Sequence, residues 1–368
     1  MERQEALFEA YGKAAGCEIR HRADEITSDV NTLYIGGGTP SVLPLSVYSS
    51  IMEDLAAAGA KAPFDEFTFE VNPEDIVEKG RDYVRGLVAL GVNRFSMGVQ
   101  SFDDGILRWM NRRHDSATAR QAYGILRESG IDNISIDLIF GLPQLSDEQW
   151  RQTLKQALEI APDGILPKHI SAYQLSVEPG SALARLVERG VWSEASDELC
   201  ERQYAILCET LERAGYHHYE ISNFAQPGHE AVHNSAYWRH VPYVGIGPGA
   251  HSFKGGTERC WNSQDLQAYL DAPNGVSEGE ILDDEQLVME KTMLALRTSE
   301  GLEASFLERN CDQSVLARAL DEGNLVMLEN GNIRIPEGRF FVSDAIISEI
   351  ICKSWIIWKI SMRKESLP

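Results

Sequence analysis

No two of the six cysteines (Cys17, Cys200, Cys208, Cys260, Cys311, Cys352) form a CxxC pair. That excludes the dense disulfide scaffold of a small secreted domain and points to reduced thiols. Basic charge is also scarce: 34 Lys and Arg stand against 56 Asp and Glu, a formal net charge of −22. Phosphate backbones are held by clustered Lys and Arg, so no nucleic-acid partner is expected. No apolar run reaches the ~18–20 residues of a spanning helix, and membrane contact is expected to be transient at most. Residues 1–24 are charged and polar, with no apolar core of a secretory signal and too much Glu for an organelle leader. A cytoplasmic location follows as the expectation, with an organellar one open if residues precede Met1.

What is present is ordinary for a soluble globular protein. The 368 residues are 43% apolar and 24% charged, enough for two domains and a sizeable core. Strand and helix patterns alternate through the N-terminal half. The apolar runs Thr32–Ile35, Phe67–Val71, Arg94–Val99, Ile134–Phe140 and His169–Ser176 read as strands. Helical spacing covers Leu43–Ala58, Asp75–Leu90, Ala117–Ser129 and Asp147–Ile160, after a first helix around Leu7–Ala15. Such alternation predicts an α/β fold with a parallel sheet. A long helix, Asp197–Ala214, leads to an appendage built from Tyr219–Phe224 and the Gly245–Gly249 turn. Three short helices after Asp283, then a hairpin at the Asn330-Gly331 turn, suggest a small winged-helix-like unit.

Four motifs stand where a strand ends and a helix begins: Gly36-Gly37-Gly38-Thr39-Pro40, Glu70-Val-Asn72-Pro73, Gln100-Ser101-Phe102 and Asp137-Leu-Ile-Phe-Gly141. In a β/α barrel these strand ends form the functional rim. The glycines let the backbone approach a ligand, although a plain strand-to-helix turn has the same composition. The motif lacks the Gly-Lys-Ser/Thr of a phosphate loop. Glu70, Gln100 and Asp137 are capable of accepting hydrogen bonds from a ligand, and each alone fits a helix cap or a solvated rim. His233-Asn234-Ser-Ala-Tyr237-Trp238 reads, on residues alone, as a polar turn with two core aromatics.

Taken together and in this order, the motifs resemble the radical S-adenosylmethionine (SAM) family of oxygen-independent coproporphyrinogen III oxidases and their HemW-type haem-chaperone relatives. The resemblance spans roughly Val30 to Glu349. It implies a partial (β/α)6 barrel, here missing its first strand, plus a small winged-helix-like C-terminal domain. The implied division is 1–182 as part-barrel, 183–282 as helical and Gly-rich appendage, 283–350 as C-terminal domain and 351–368 as an atypical tail. The first strand's absence would leave Thr32–Ile35 with one unpaired edge. Family members carry Cys-x3-Cys-x2-Cys ahead of the triple glycine, holding a [4Fe-4S] cluster; this chain has no such motif, and no metal ligands are recognisable for it. Missing head and odd tail both imply an irregular gene model.

The resemblance also implies that Gly37, Gly38, Thr39, Glu70, Gln100, Arg112 and Asp137 bind SAM. Arg112 would meet its carboxylate, with Arg113 as the alternative partner. His233-Asn-x-x-Tyr-Trp matches the HNxxYW motif of the HemW branch, which implies haem binding with His233 as a candidate axial ligand. Haem-accepting respiratory proteins are the implied partners. The reading is therefore a SAM- and haem-binding chaperone in truncated form. The alternatives are an oxidase of porphyrin biosynthesis and a cluster-free haem- or SAM-binding protein.

Overall fold

The computed structural model describes residues 2–273 and 278–351. The tail assigned to 351–368 lies outside the described residues beyond position 351.

Helix α1 (Glu2–His21) precedes an alternating run: β1 (Thr32–Ile35), α2 (Leu45–Ala58), β2 (Glu66–Val71), α3 (Pro73–Ala89), β3 (Arg94–Gln100), α4 (Asp104–Trp109), α5 (Ser116–Arg127), β4 (Ile134–Phe140), α6 (Asp147–Leu158) and β5 (His169–Gln174). Strands β1 to β5 pair in parallel and in sequence order. Side chains alternate across each strand. One face carries Phe67 and Phe69, Phe95 and Met97, Ile134, Ile136 and Leu138, and Ile170, all buried in the apolar core. The other face carries Glu66, Thr68 and Glu70, Arg94 and Ser96, Ser135 and Asp137, then His169 and Ser171. The sheet curls into a half-barrel around this polar face. Helix starts are capped locally: Asp103 accepts from Gly105 N and Ile106 N, and Ser146 with Gln149 forms a capping box at α6.

After α7 (Ala182–Glu188) and α8 (Asp197–Arg213) the chain returns to the same sheet. Strands β6 (His217–Glu220) and β7 (Asn223–Ala225) add antiparallel beyond β5, giving the order β1-β2-β3-β4-β5-β7-β6. The Tyr219–Phe224 segment is therefore part of the half-barrel sheet. It satisfies the open edge of β5, which a parallel run alone would leave bare. At the opposite end β1 is the edge strand among the described residues.

Helix α9 (Val232–Trp238) follows, then a three-stranded sheet of β8 (His251–Phe253), β9 (Glu258–Trp261) and β10 (Glu278–Ile281), with α10 (Leu266–Asp271) between β9 and β10. Gly245–Gly249 is a structural turn: a Cβ on Gly245 would sit 2.0 Å from the His251 carbonyl oxygen. It is pinned from α1, where Arg22 donates to the Gly245 carbonyl at 2.8 Å and Gly247 N donates to the buried Glu18 carboxylate at 2.9 Å. Glu18 also accepts from Asn262 Nδ2 and the Tyr269 hydroxyl, both at 2.7 Å. The last unit holds α11 (Asp284–Ala295), β11 (Leu302–Glu303), α12 (Ala304–Asn310), α13 (Gln313–Asp321), β12 (Val326–Met327) and β13 (Asn332–Arg334). Its three helices and the β12–β13 hairpin stand where the sequence placed them. Strand β11, pairing the other side of β13, had no sequence signal beyond two residues.

Candidate functional site

The parallel strands all end on one side, and their C-terminal ends frame a pocket of about 420 Å³. Gly37, Thr39, Glu70, Gln100, Arg112 and Asp137, six of the seven positions assigned to SAM, line it. Gly38 is an exposed loop residue between two lining positions and is not part of the wall. Asn72, Ser96, Gly98 and Tyr173 are among the other lining residues. Asn72 belongs to the Glu70-Val-Asn72-Pro73 motif, whereas Ser96, Gly98 and Tyr173 were not singled out from the sequence; the alternation that turns Ser96 and Tyr173 to the same face as Glu70 and Asp137 was the available signal.

Each charged group in the pocket is set by its neighbours. Glu70 accepts from the Tyr34 hydroxyl at 2.5 Å and from Gly37 N at 3.0 Å. Burial nevertheless pushes its carboxyl above the ordinary range. Asp137 accepts from Ser96 Oγ at 2.8 Å and Ser135 Oγ at 3.0 Å, and burial raises it too. Arg112 donates through Nη2 to Asn72 Oδ1 at 2.8 Å and the Gly98 carbonyl at 3.1 Å, while its buried Nε has no partner. Burial lowers the basicity of this guanidinium. Arg113 points elsewhere, to Asp75 at 2.8 Å and Glu74 at 3.0 Å at the start of α3, so Arg112 alone of the two lines the pocket.

Backbone strain gathers at this rim. Thr39 has φ 107° and Gln100 has φ 67°, a region costly for residues with a Cβ and most so for a β-branched one. Gly98 lies beneath Gln100, Asn72 and Arg112: a Cβ there would sit 2.8 Å from Gln100 Nε2. A pre-set, partly desolvated cradle with one unsatisfied cationic donor and two carboxylates suits a zwitterionic small molecule bearing hydroxyl groups. The methionine and ribose parts of SAM have that chemistry. Among the described residues no group of three or more His, Cys, Asp or Glu is placed to hold a metal ion, so they do not fit a [4Fe-4S] cluster.

His233 lies outside this pocket. The HNxxYW motif forms helix α9 rather than a polar turn, packed on the polar face near the start of β1 and β2. His233 Nδ1 meets Thr32 Oγ1 at 2.8 Å and Nε2 meets the Tyr237 hydroxyl at 2.9 Å. Its ring stacks on Tyr34 at 5.2 Å, and burial lowers its basicity. Tyr237 is exposed, while Trp238 borders a second cavity of about 310 Å³ with His217, Tyr219 and Glu220.

The radical SAM superfamily profile matches residues 18–157. The chain is 35% identical over 279 residues to the heme chaperone HemW of Synechocystis, covering 74% of this chain and 66% of that one. It is 32% identical over 344 residues to the mitochondrial radical S-adenosyl methionine domain-containing protein 1 of Danio rerio, covering 88% and 76%. Among solved structures it is similar to coproporphyrinogen III oxidase (HemN) from Escherichia coli, with a TM-score of 0.76 over 94% of this chain and 84% of that one. At 22% identity that likeness concerns the fold. Two relatives above 30% identity and a structural neighbour with the same curled sheet agree with the motif order, and this chain belongs to the radical SAM superfamily, in its HemW branch.

Proposed function

We propose that this chain binds SAM in the rim pocket and haem beside α9, and that it passes haem to acceptor proteins. The half-buried Arg112, which lines a pocket with two carboxylates and whose Nε has no protein partner, carries the SAM half. In this reading Arg112 pairs with the carboxylate of SAM. Glu70 and Asp137 accept from its ammonium and ribose hydroxyls, while the strained Gly37–Thr39 loop lends backbone groups. The HNxxYW residues on α9 carry the haem half. For His233 to ligate iron through Nε2, the Tyr237 hydroxyl must first give up its bond. Respiratory proteins are the acceptors that the family resemblance favours.

A [4Fe-4S] cluster, implied by the superfamily, supplies when bound the electron that cleaves SAM. The described residues do not fit it, so the reading here stops at binding. Iron and acid-labile sulfide are expected to be negligible in the purified chain; a full cluster's complement would contradict this.

Haemin titration followed by absorbance tests the haem half. His233→Ala is expected to weaken haemin by at least about tenfold, roughly 1.4 kcal/mol. Unchanged binding would remove His233 as a ligand and leave it the role of docking α9.

A further inference from the structure

Helix α9 has seven residues, far below the length at which an isolated helix persists in water. Its own N-cap, Ala231, offers no side-chain acceptor. The donors of its first turn are satisfied from the sheet instead: Glu66 on β2 accepts from Val232 N at 2.7 Å and His233 N at 3.1 Å. The HNxxYW residues are therefore held in helical form by the wall of the half-barrel.

That same wall leads to the SAM pocket by two routes. On β1, Tyr34 places its ring against His233 and its hydroxyl on Glu70, whose other oxygen takes Gly37 N. On β4 and β5, Asp137 is joined through Ser135 to His169 Nδ1 at 2.8 Å. His169 Nε2 meets the Tyr219 hydroxyl at 2.8 Å, and that hydroxyl accepts Ala231 N at 3.2 Å, directly before α9. The first route is the shorter: a single side chain touches both sites. Any ligand that draws on Glu70 changes the bond held by Tyr34, and Tyr34 cannot shift without moving against His233.

We propose that Tyr34 is a positioning residue shared by the rim pocket and the HNxxYW helix, through which SAM in the pocket stabilises α9. The proposal rests on the reading of the pocket as a SAM site. Linkage makes the effect reciprocal, so a ligand that prefers ordered α9 would tighten SAM by the same factor.

Hydrogen–deuterium exchange over residues 230–240 of the full chain, with and without SAM, tests this coupling. Equilibrium dialysis of SAM runs in parallel. The conservative Tyr34→Phe keeps the ring on His233 and removes only the bond to Glu70, so the fold should survive. In the wild type, SAM is expected to slow α9 exchange about fivefold or more, the lower range of measured couplings. In Tyr34→Phe, SAM binds a few-fold more weakly, and saturating SAM leaves α9 exchange unchanged. Bound SAM with no protection of α9 in the wild type would overturn the proposal, as would equal protection in Tyr34→Phe. Dialysis showing no SAM binding would instead fell the pocket reading, and the proposal with it.

Discussion

The two faces of the curled sheet are built from the same strands yet follow opposite rules. The outer face is apolar and sealed: Phe95, Met97, Ile134 and Ile136 are fully buried beneath the helices. The inner face places Glu66, Arg94, Asp137 and His169 side by side with serines and threonines between them. Burying such groups costs free energy unless each is bonded, and replacing them with apolar residues often stabilises a fold. The outer face thus supplies stability, and the inner face gives some of it up to hold polar groups around the pocket.

Substitutions on each face sharpen this contrast. Phe95→Ala opens a cavity in the outer layer and is expected to destabilise by about 3–5 kcal/mol, read by chemical denaturation. A loss under about 1 kcal/mol would mean that the outer layer is loosely packed.

Glu220 tests where the contrast blurs, at the far end of the sheet. It is buried, and burial pushes its carboxyl from 4.5 to about 7. A raised acid pKa means the folded state holds the proton more tightly, so the cost is absent below pH 4.5. It grows between 4.5 and 7 and is complete above that range. At about 1.4 kcal/mol per pH unit, Glu220→Gln should gain up to about 3 kcal/mol over the wild type at pH 8. It should gain little at pH 5, with melting temperatures compared across that range. A pH-independent difference would show that Glu220 titrates normally.

Arg112→Gln gives the smallest change in stability and the clearest functional one. SAM affinity should fall about tenfold or more with the melting temperature nearly constant, measured by dialysis and thermal unfolding. A large drop in melting temperature with unaltered binding would make Arg112 a structural member of the Asn72–Gly98 contact.

Much of the outer face was legible in the sequence, because hydrophobic periodicity reports burial directly. Thr32–Ile35 and Ile134–Phe140 emerge with the boundaries read from their apolar pattern. Glu70 and Gln100 were legible as polar residues closing strands, Asp137 sits in mid-strand on β4, and six of the seven positions that the family resemblance implied line one pocket. What escaped depends on distant parts of the chain. Nothing in the local sequence makes Val232–Trp238 helical; its cap comes from Glu66, 166 residues away. Strands β6 and β7, of four and three residues, exist because β5 offers an open edge. Tyr34 looks like any strand aromatic until His233 is laid against it from 199 positions later. The positive φ of Thr39 and Gln100 has no sequence signal either, since neither residue favours that conformation.

The buried Glu18 bears on how the molecule comes apart. It is fully enclosed, and apart from Arg22 its bonds run to Gly247, Asn262 and Tyr269, more than 200 residues downstream. A fragment ending before that stretch would lose three of the four donors to Glu18, leaving Arg22 alone. During synthesis α1 emerges more than 200 residues ahead of the segment that fastens it, a long-range closure that slows folding. The half-barrel is therefore a poor candidate for excision as a free-standing domain, however cleanly its strands and helices alternate.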